Sequence, residues 1–272
     1  MCELMGLSFA RPISADFSIR EFAGRGMENA DGWGLAWYPD RAVAVVKEPV
    51  RWGQSLYTRF LENYPALRSS LYIAHVRRRT IGGEPTYADT HPFTRELNGR
   101  DYCFAHNGTL RGRLLELPLE RYQPIGVTDS ERAFCYLLET IARQAEPLRS
   151  DHEWNALQIE LRRLNELGHL NCLLSDGERL FCYHDQQGYK GLTFRNVHLR
   201  DGETRRFEDR EVTIDLAEGS VNHGIVVATN PLSSYGWQRF LPGELIVLKQ
   251  GIICFSSHRS RADLGIIATG KQ

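Results

Sequence analysis

The chain has 272 residues, a formal net charge of −1 at pH 7, 42% hydrophobic and 25% charged residues. That composition belongs to a globular protein with a large core, and its charge balance implies no nucleic acid or other polyanionic partner. Apolar runs such as GIVVAT (224–229) are too short to span a bilayer, and the start lacks the basic and apolar regions of a signal peptide.

The first run, MCELMGLSFA, alternates without a polar face: Cys2, Leu4 and Gly6 on one side, Met5, Leu7 and Phe9 on the other. Such a pattern predicts a strand buried on both faces. GWGLAWY (32–38) and AVAVVK (42–47) are strand candidates joined by a turn at Pro39-Asp40. A short helix is expected between Gln54 and Tyr64. LYIAHVR (71–77) reads as a strand ended by charge, and DYCFAHNG (101–108) as a strand running into Asn107-Gly108, a dipeptide typical of hairpin turns.

Thr128 and Glu131 have the spacing of a capping box. Behind them Phe134, Leu137, Leu138 and Ile141 repeat at helical spacing. Trp154, Leu157, Leu161 and Leu164 predict a second helix. Strands return in LNCLLSDGERLFCY (170–183), a hairpin expected to turn at Asp176-Gly177 in a type I′ geometry. GIVVAT follows, then ELIVLKQGIICF (244–255), a hairpin around Gln250-Gly251. Strands, then helices, then strands predict an α+β fold with helices packed on antiparallel sheets. No linker or repeat divides the chain, so one domain over 1–272 is expected.

The six cysteines have neither disulfide-framework density nor paired metal spacing, which predicts reduced thiols and a cytoplasmic location. Cys2 has two readings. It is a small core hydrophobe, or, once Met1 is removed, a nucleophile carrying its own base. A thiol near ~8.5 and an α-amine near ~7.7–8.0 exchange a proton at little cost. Asn107 and Gly108 are either a plain turn or two donors aimed at one point, as in an oxyanion hole. Asp129, at the mouth of the capped helix, either compensates the helix dipole or receives a ligand ammonium. Arg77, Arg78 and Arg79 read as surface charge, although an arginine just past a buried strand can also clamp a carboxylate. His75, His91 and His106 match no usual zinc spacing, and structural hydrogen bonding is the expected role.

Taken in order, Cys2, GRGMENADGWG (24–34), AHVRRRTIGG (74–83), THPF (90–93), HNG (106–108) and TDSE (128–131) resemble the class II glutamine amidotransferases of the N-terminal nucleophile hydrolase superfamily. The closer resemblance is to the small stand-alone, YafJ-like members, and it runs from Met1 to about Leu248. It implies a four-layer α/β/β/α sandwich. It also implies that Cys2 is the nucleophile, that Arg77 clamps the α-carboxylate of the substrate, and that Asn107 and Gly108 form the oxyanion hole. Gly108 and Asp129 would hold the α-ammonium, and Thr80 and His91 would line the pocket. Arg78 and Ile81 stand where synthetase-linked members carry tryptophan and histidine.

The expected activity is hydrolysis of the γ-glutamyl amide of glutamine or a γ-glutamyl compound, with no metal or organic cofactor. About 24 residues lie beyond the matched region, too few for a synthetase domain. Any ammonia acceptor would therefore be a separate protein partner. The alternatives are a non-catalytic γ-glutamyl-binding subunit or an ammonia-supplying partner of a separate synthetase. A papain-like enzyme is disfavoured because no cysteine sits in such a motif.

Overall fold

The computed structural model describes residues 2–17, 31–51, 54–61, 64, 67–76, 86–144, 148–199, 204–208, 213–217, 222–260 and 263–264. Two antiparallel sheets lie face to face. Among the described residues the first has nine strands. Its central path runs β13 (Gln238–Arg239), β9 (Thr193–Leu199), β12 (Asn222–Ala228), β1 (Glu3–Phe17), β4 (Arg68–Val76), β2 (Trp33–Trp37) and β3 (Ala44–Glu48). Strands β10 (Thr204–Glu208) and β11 (Thr213–Ala217) join it through the far end of β1. The second sheet has six strands among the described residues. They run β15 (Ile252–Ser256), β14 (Leu245–Lys249), β8 (Arg179–Tyr183), β7 (Gly168–Ser175), β6 (Arg100–Leu110) and β5 (Phe93–Leu97).

The alternation predicted for the first run is what β1 needs at the centre of a two-sided sheet. Leu4 joins the cluster between the sheets, with Ile73, Ala105 and Leu173. Met5, Leu7 and Phe9 join the cluster on the sheet's outer face, with Trp33, Leu35 and Tyr72. That outer face is covered, among the described residues, by Leu61 of the six-residue helix α1 (Leu56–Leu61) and by Leu67.

Helices α2 (Asp129–Ala142) and α3 (Asp151–Asn165) cover the other sheet. Phe134, Leu137, Leu138 and Ile141 of α2 are fully buried with Leu157, Leu161 and Leu164 of α3. Each such side chain contributes about 1.5–3 kcal/mol on burial. No helix among the described residues is long and apolar enough to cross a membrane.

Three local expectations change. Thr128 caps α2 by accepting from the Glu131 N–H at 3.1 Å, but Glu131 does not complete a capping box. Its buried carboxylate accepts from Gly126 N at 2.7 Å and pairs with Arg95 of β5, because a buried charge needs an opposite one. The reciprocal capping box belongs instead to Ser150 and Glu153 at the start of α3. The β7–β8 turn is a four-residue loop, since Ser175 pairs with Leu180. Only Gly177 in it has positive φ, and the Asp176 carboxylate holds the loop by accepting from Glu178 N and Arg179 N.

The third change concerns Asn107-Gly108, which is not a turn. β6 continues through both residues, opposite Asn171 and Leu170 of β7. The Asn-Gly turn lies at Asn98-Gly99, with φ of 53° and 72°, closing the β5–β6 hairpin in the type I′ form. Gln250-Gly251 does the same between β14 and β15, as its sequence predicts.

Candidate active site

Cys2 stands just before β1, and three strands meet around that strand's start. Glu3 pairs with Val76 of β4. Leu4 and Thr229, which follows β12, exchange two hydrogen bonds: Leu4 N donates to Thr229 Oγ1 at 2.9 Å and Thr229 N to Leu4 O at 3.1 Å. The neighbouring Asn230 donates from Nδ2 to the buried Glu3 carboxylate at 2.8 Å. Asn107 of the facing sheet donates from Nδ2 to the Cys2 carbonyl at 2.8 Å. Alternation along β1 carries Cys2 to the face of Leu4, the side on which Asn107 lies. The residue is partly exposed.

β6 presents Asn107 and Gly108 in different directions. Asn107 follows Cys103 and Ala105 at two-residue spacing and so faces the gap between the sheets. An amide nitrogen has two hydrogens, so the bond to Cys2 leaves one for a second acceptor. The backbone of Gly108 points the other way from β7. Arg111 N bonds Leu167 O on the β7 side, whereas Leu110 N bonds Asp129 Oδ2 at 2.6 Å on the opposite edge. Gly108 has the parity of Leu110, and its N–H therefore points to that second edge, which β5 covers only as far as Phe104. A side chain cannot be added here: a Cβ on Gly108 would lie 1.9 Å from the His169 carbonyl oxygen.

Asp129 is the first residue of α2 and also a tie to β6. Besides Leu110 N, it accepts from Ser130 N at 2.8 Å. Each carboxylate oxygen has two acceptor sites, so the group keeps capacity for an ammonium. Beneath it, His106 Nε2 lies 3.0 Å from the His169 carbonyl, and Nδ1 lies 2.8 Å from Ser130 Oγ. A carbonyl only accepts, which places the imidazole proton on Nε2 and makes Nδ1 the acceptor of the serine hydroxyl. Burial lowers the His106 pKa and favours this neutral form.

His91 is buried, with its ring 4.3 Å from that of His75 and 4.5 Å from Phe93. Lys47 Nζ donates to the carbonyls on either side of it, Thr90 at 2.7 Å and Pro92 at 3.2 Å. Burial lowers that amine to about 8. Among the described residues no group of three or more His, Cys, Asp or Glu is arranged to hold a metal ion.

The fold thus brings together Cys2, Asn107, Gly108 and, along the β6 edge, Asp129. Arg77 and Thr80 lie outside the described residues, as do Met1, Arg78, Arg79 and Ile81. Sequence reasoning missed the clamp formed by Thr229 and Asn230 on the first residues of β1. The signal was present as a polar Thr-Asn pair closing the apolar run GIVVA. It also missed Asn171, which is fully buried opposite Asn107 and holds His184 Nδ1 at 2.8 Å.

A family model described as glutamine amidotransferases class II matches residues 1–268. The chain is 39% identical over 266 residues to the uncharacterized protein MJ1515 of Methanocaldococcus jannaschii, covering 95% of this chain and 72% of that one. It is 32% identical over 259 residues to YafJ of Escherichia coli, provisionally described as a glutamine amidotransferase, covering 90% and 96%. A shorter stretch of 86 residues is 36% identical to the gamma-glutamyl-hercynylcysteine sulfoxide hydrolase of Mycobacterium tuberculosis, 31% of this chain and 34% of that one. Among solved structures, a predicted glutamine amidotransferase from Pseudomonas aeruginosa superposes with a TM-score of 0.67 at 26% identity, covering 93% of this chain and 100% of that one.

Proposed function

The chain belongs to the class II glutamine amidotransferases and is an enzyme of amidohydrolase type; from that premise we propose that Cys2, as the N-terminal residue, cleaves the γ-glutamyl amide of glutamine or a related γ-glutamyl compound. The observation that carries this reading is the Asn107–Cys2 hydrogen bond, which joins the nucleophile to a donor on the facing sheet. The partial similarity to a hydrolase named for a γ-glutamyl substrate supports the choice of bond.

In this reading Arg77 and Asp129 hold the amino-acid end of the substrate, and Thr80 and His91 line its pocket. The Cys2 α-amine takes the thiol proton, and the thiolate sulfur attacks the side-chain carbonyl carbon. The second N–H of Asn107 and the N–H of Gly108 stabilise the oxyanion. As the carbon–nitrogen bond breaks, the ammonium returns its proton to the departing nitrogen. Ammonia or an amine leaves, and a thioester remains. Water, losing a proton to the same amine, attacks the thioester and releases glutamate with the thiol restored. Every step uses protein groups and water.

The amine exists only after Met1 is removed, because with Met1 present the Cys2 nitrogen is an amide and cannot accept a proton. The test is intact mass and activity on one preparation. Protein beginning at Cys2 should release glutamate, and Cys2→Ala should abolish turnover. Full activity in protein that retains Met1 refutes the mechanism. Retained-Met1 protein that binds glutamate, and a Cys2-started form that never turns over, would fit a binding subunit instead.

A further inference from the structure

The two sheets place the proposed clamp Asp129 on one flank of Cys2 and leave the opposite flank to other residues. β1 lies between β4 and β12, and β6 lies between β5 and β7. On the β4 side stand Val76, immediately followed in sequence by Arg77, and the β6 edge with Asp129. On the β12 and β7 side stand Thr229 and a loop after β8 that carries Tyr189 and Lys190. An amide held by its amino-acid end on the first flank must direct its leaving nitrogen toward the second.

That second flank is built rigidly. His169 pairs with Thr109, two residues beyond Asn107 and so about 7 Å along the strand. Its imidazole stacks on Tyr189 with centroids 4.1 Å apart and planes at 11°, and 42% of its side chain is exposed. Asn171, the strand partner of Asn107, donates to the Tyr189 carbonyl at 2.7 Å. The Lys190 ammonium lies 5.3 Å from the Tyr189 ring centroid and forms no ion pair among the described residues.

Asp185, whose carboxylate lies close to His169, is already engaged. Its carboxylate is fully buried and accepts from Leu170 N (2.8 Å), Asn165 Nδ2 (2.7 Å), Gln187 N (2.8 Å) and Tyr189 N (3.1 Å). One of its oxygens lies 3.7 Å from His169 Nδ1, beyond hydrogen-bond distance. The exposed part of the shelf is then an imidazole edge, a phenol ring and an ammonium, a surface suited to an anion.

We propose that His169, Tyr189 and Lys190 form the leaving-group subsite, and that it selects γ-glutamyl compounds whose departing amine carries a carboxylate, as in γ-glutamyl amino acids and dipeptides. This rests on the proposed hydrolysis at Cys2. Glutamine, whose leaving group is ammonia, reaches none of the three side chains.

The test compares three substrates on protein beginning at Cys2: glutamine, γ-glutamylethylamide and γ-glutamylglycine. The last two differ in the carboxylate. Wild type should prefer γ-glutamylglycine in kcat/KM. Lys190→Glu should lower kcat/KM for γ-glutamylglycine about tenfold, mainly through KM, as a like charge replaces an attraction. The same variant should leave γ-glutamylethylamide within about twofold. Position 190 has φ of 57°, so Lys190→Gln, which removes the charge from an unbranched polar side chain and makes the same backbone demand, serves as the milder variant and should show a smaller loss in the same direction. Equal changes on both substrates, or no wild-type preference for γ-glutamylglycine over the ethylamide, overturn the subsite and leave the hydrolase reading standing. Failure of wild type to hydrolyse any of the three overturns the hydrolase reading itself.

Discussion

The Asn107 side chain and the Cys2 carbonyl are joined by a 2.8 Å hydrogen bond although 105 positions separate them in the chain. In the proposed mechanism this one donor both fixes the nucleophile's backbone and stands beside the bond to be broken. Asn107→Ala should lower kcat by roughly 10²–10³, the usual effect of removing one oxyanion donor, with little change in KM. Steady-state kinetics on glutamine or γ-glutamylglycine measures it. A change confined to KM would mean that Asn107 binds the ground state.

Gly108→Ala should be worse than its one added methyl suggests. The new Cβ would sit 1.9 Å from the His169 carbonyl oxygen and 2.5 Å from His106 Nε2, and the first of these is backbone. Strand β6 must then move away from β7, carrying the Gly108 N–H with it. Overpacking of this kind costs about 1–3 kcal/mol or more. We expect a lower thermal midpoint and a kcat at least ~10²-fold reduced. A variant with wild-type kinetics would show that the Gly108 N–H has no part in catalysis.

Alkylation should be confined to Cys2. Cys103, Cys172 and Cys182 are buried, and burial pushes their thiols well above the usual range; that of Cys135 rises to about 11. A thiolate is the reactive form, so these four are inert at neutral pH, and Cys254, partly exposed on β15, lies away from the proposed glutamine site. The glutamine analogue 6-diazo-5-oxo-norleucine should add once, on the N-terminal peptide, and glutamate should protect. Labelling spread over several peptides by mass spectrometry would count against the nucleophile assignment.

Stability should fall as pH drops through the histidine range. Burial lowers the folded pKa of His106 below the unfolded value of about 6.5, so below that pH the unfolded state binds more protons. The sign is therefore a stability that is intact above pH 7 and declines on acidification. His106→Gln, which keeps a donor toward His169, should flatten the curve between pH 7 and 5 relative to wild type. Parallel urea-midpoint curves for the two proteins would remove His106 from the balance.

Elements whose signal is local were legible from the sequence. The two-sided alternation of β1 and the helical spacing of Phe134, Leu137, Leu138 and Ile141 are periodicities that a backbone repeat must satisfy wherever it folds. Cys2 at the head of β1 belongs to the same class, since its position depends only on chain order. The resemblance carried by the ordered motifs added Asn107, Gly108 and Asp129. Other features depended on distant partners. Glu131 turns from its expected box to Arg95 because the β5 charge is brought beside it.

The clearest case is the dipeptide that occurs twice. Asn98-Gly99 and Asn107-Gly108 have the same residues in the same order. The first closes a hairpin because β5 and β6 pair directly across it. The second stays extended because β7 supplies partners beyond it and the His169 carbonyl fills the space a side chain would need. The sequence by itself determined that an apolar strand would carry Cys2 at its head. Only the tertiary structure decided that Asn107 would reach it, because the contact depends on stacking two sheets whose residues lie about a hundred positions apart.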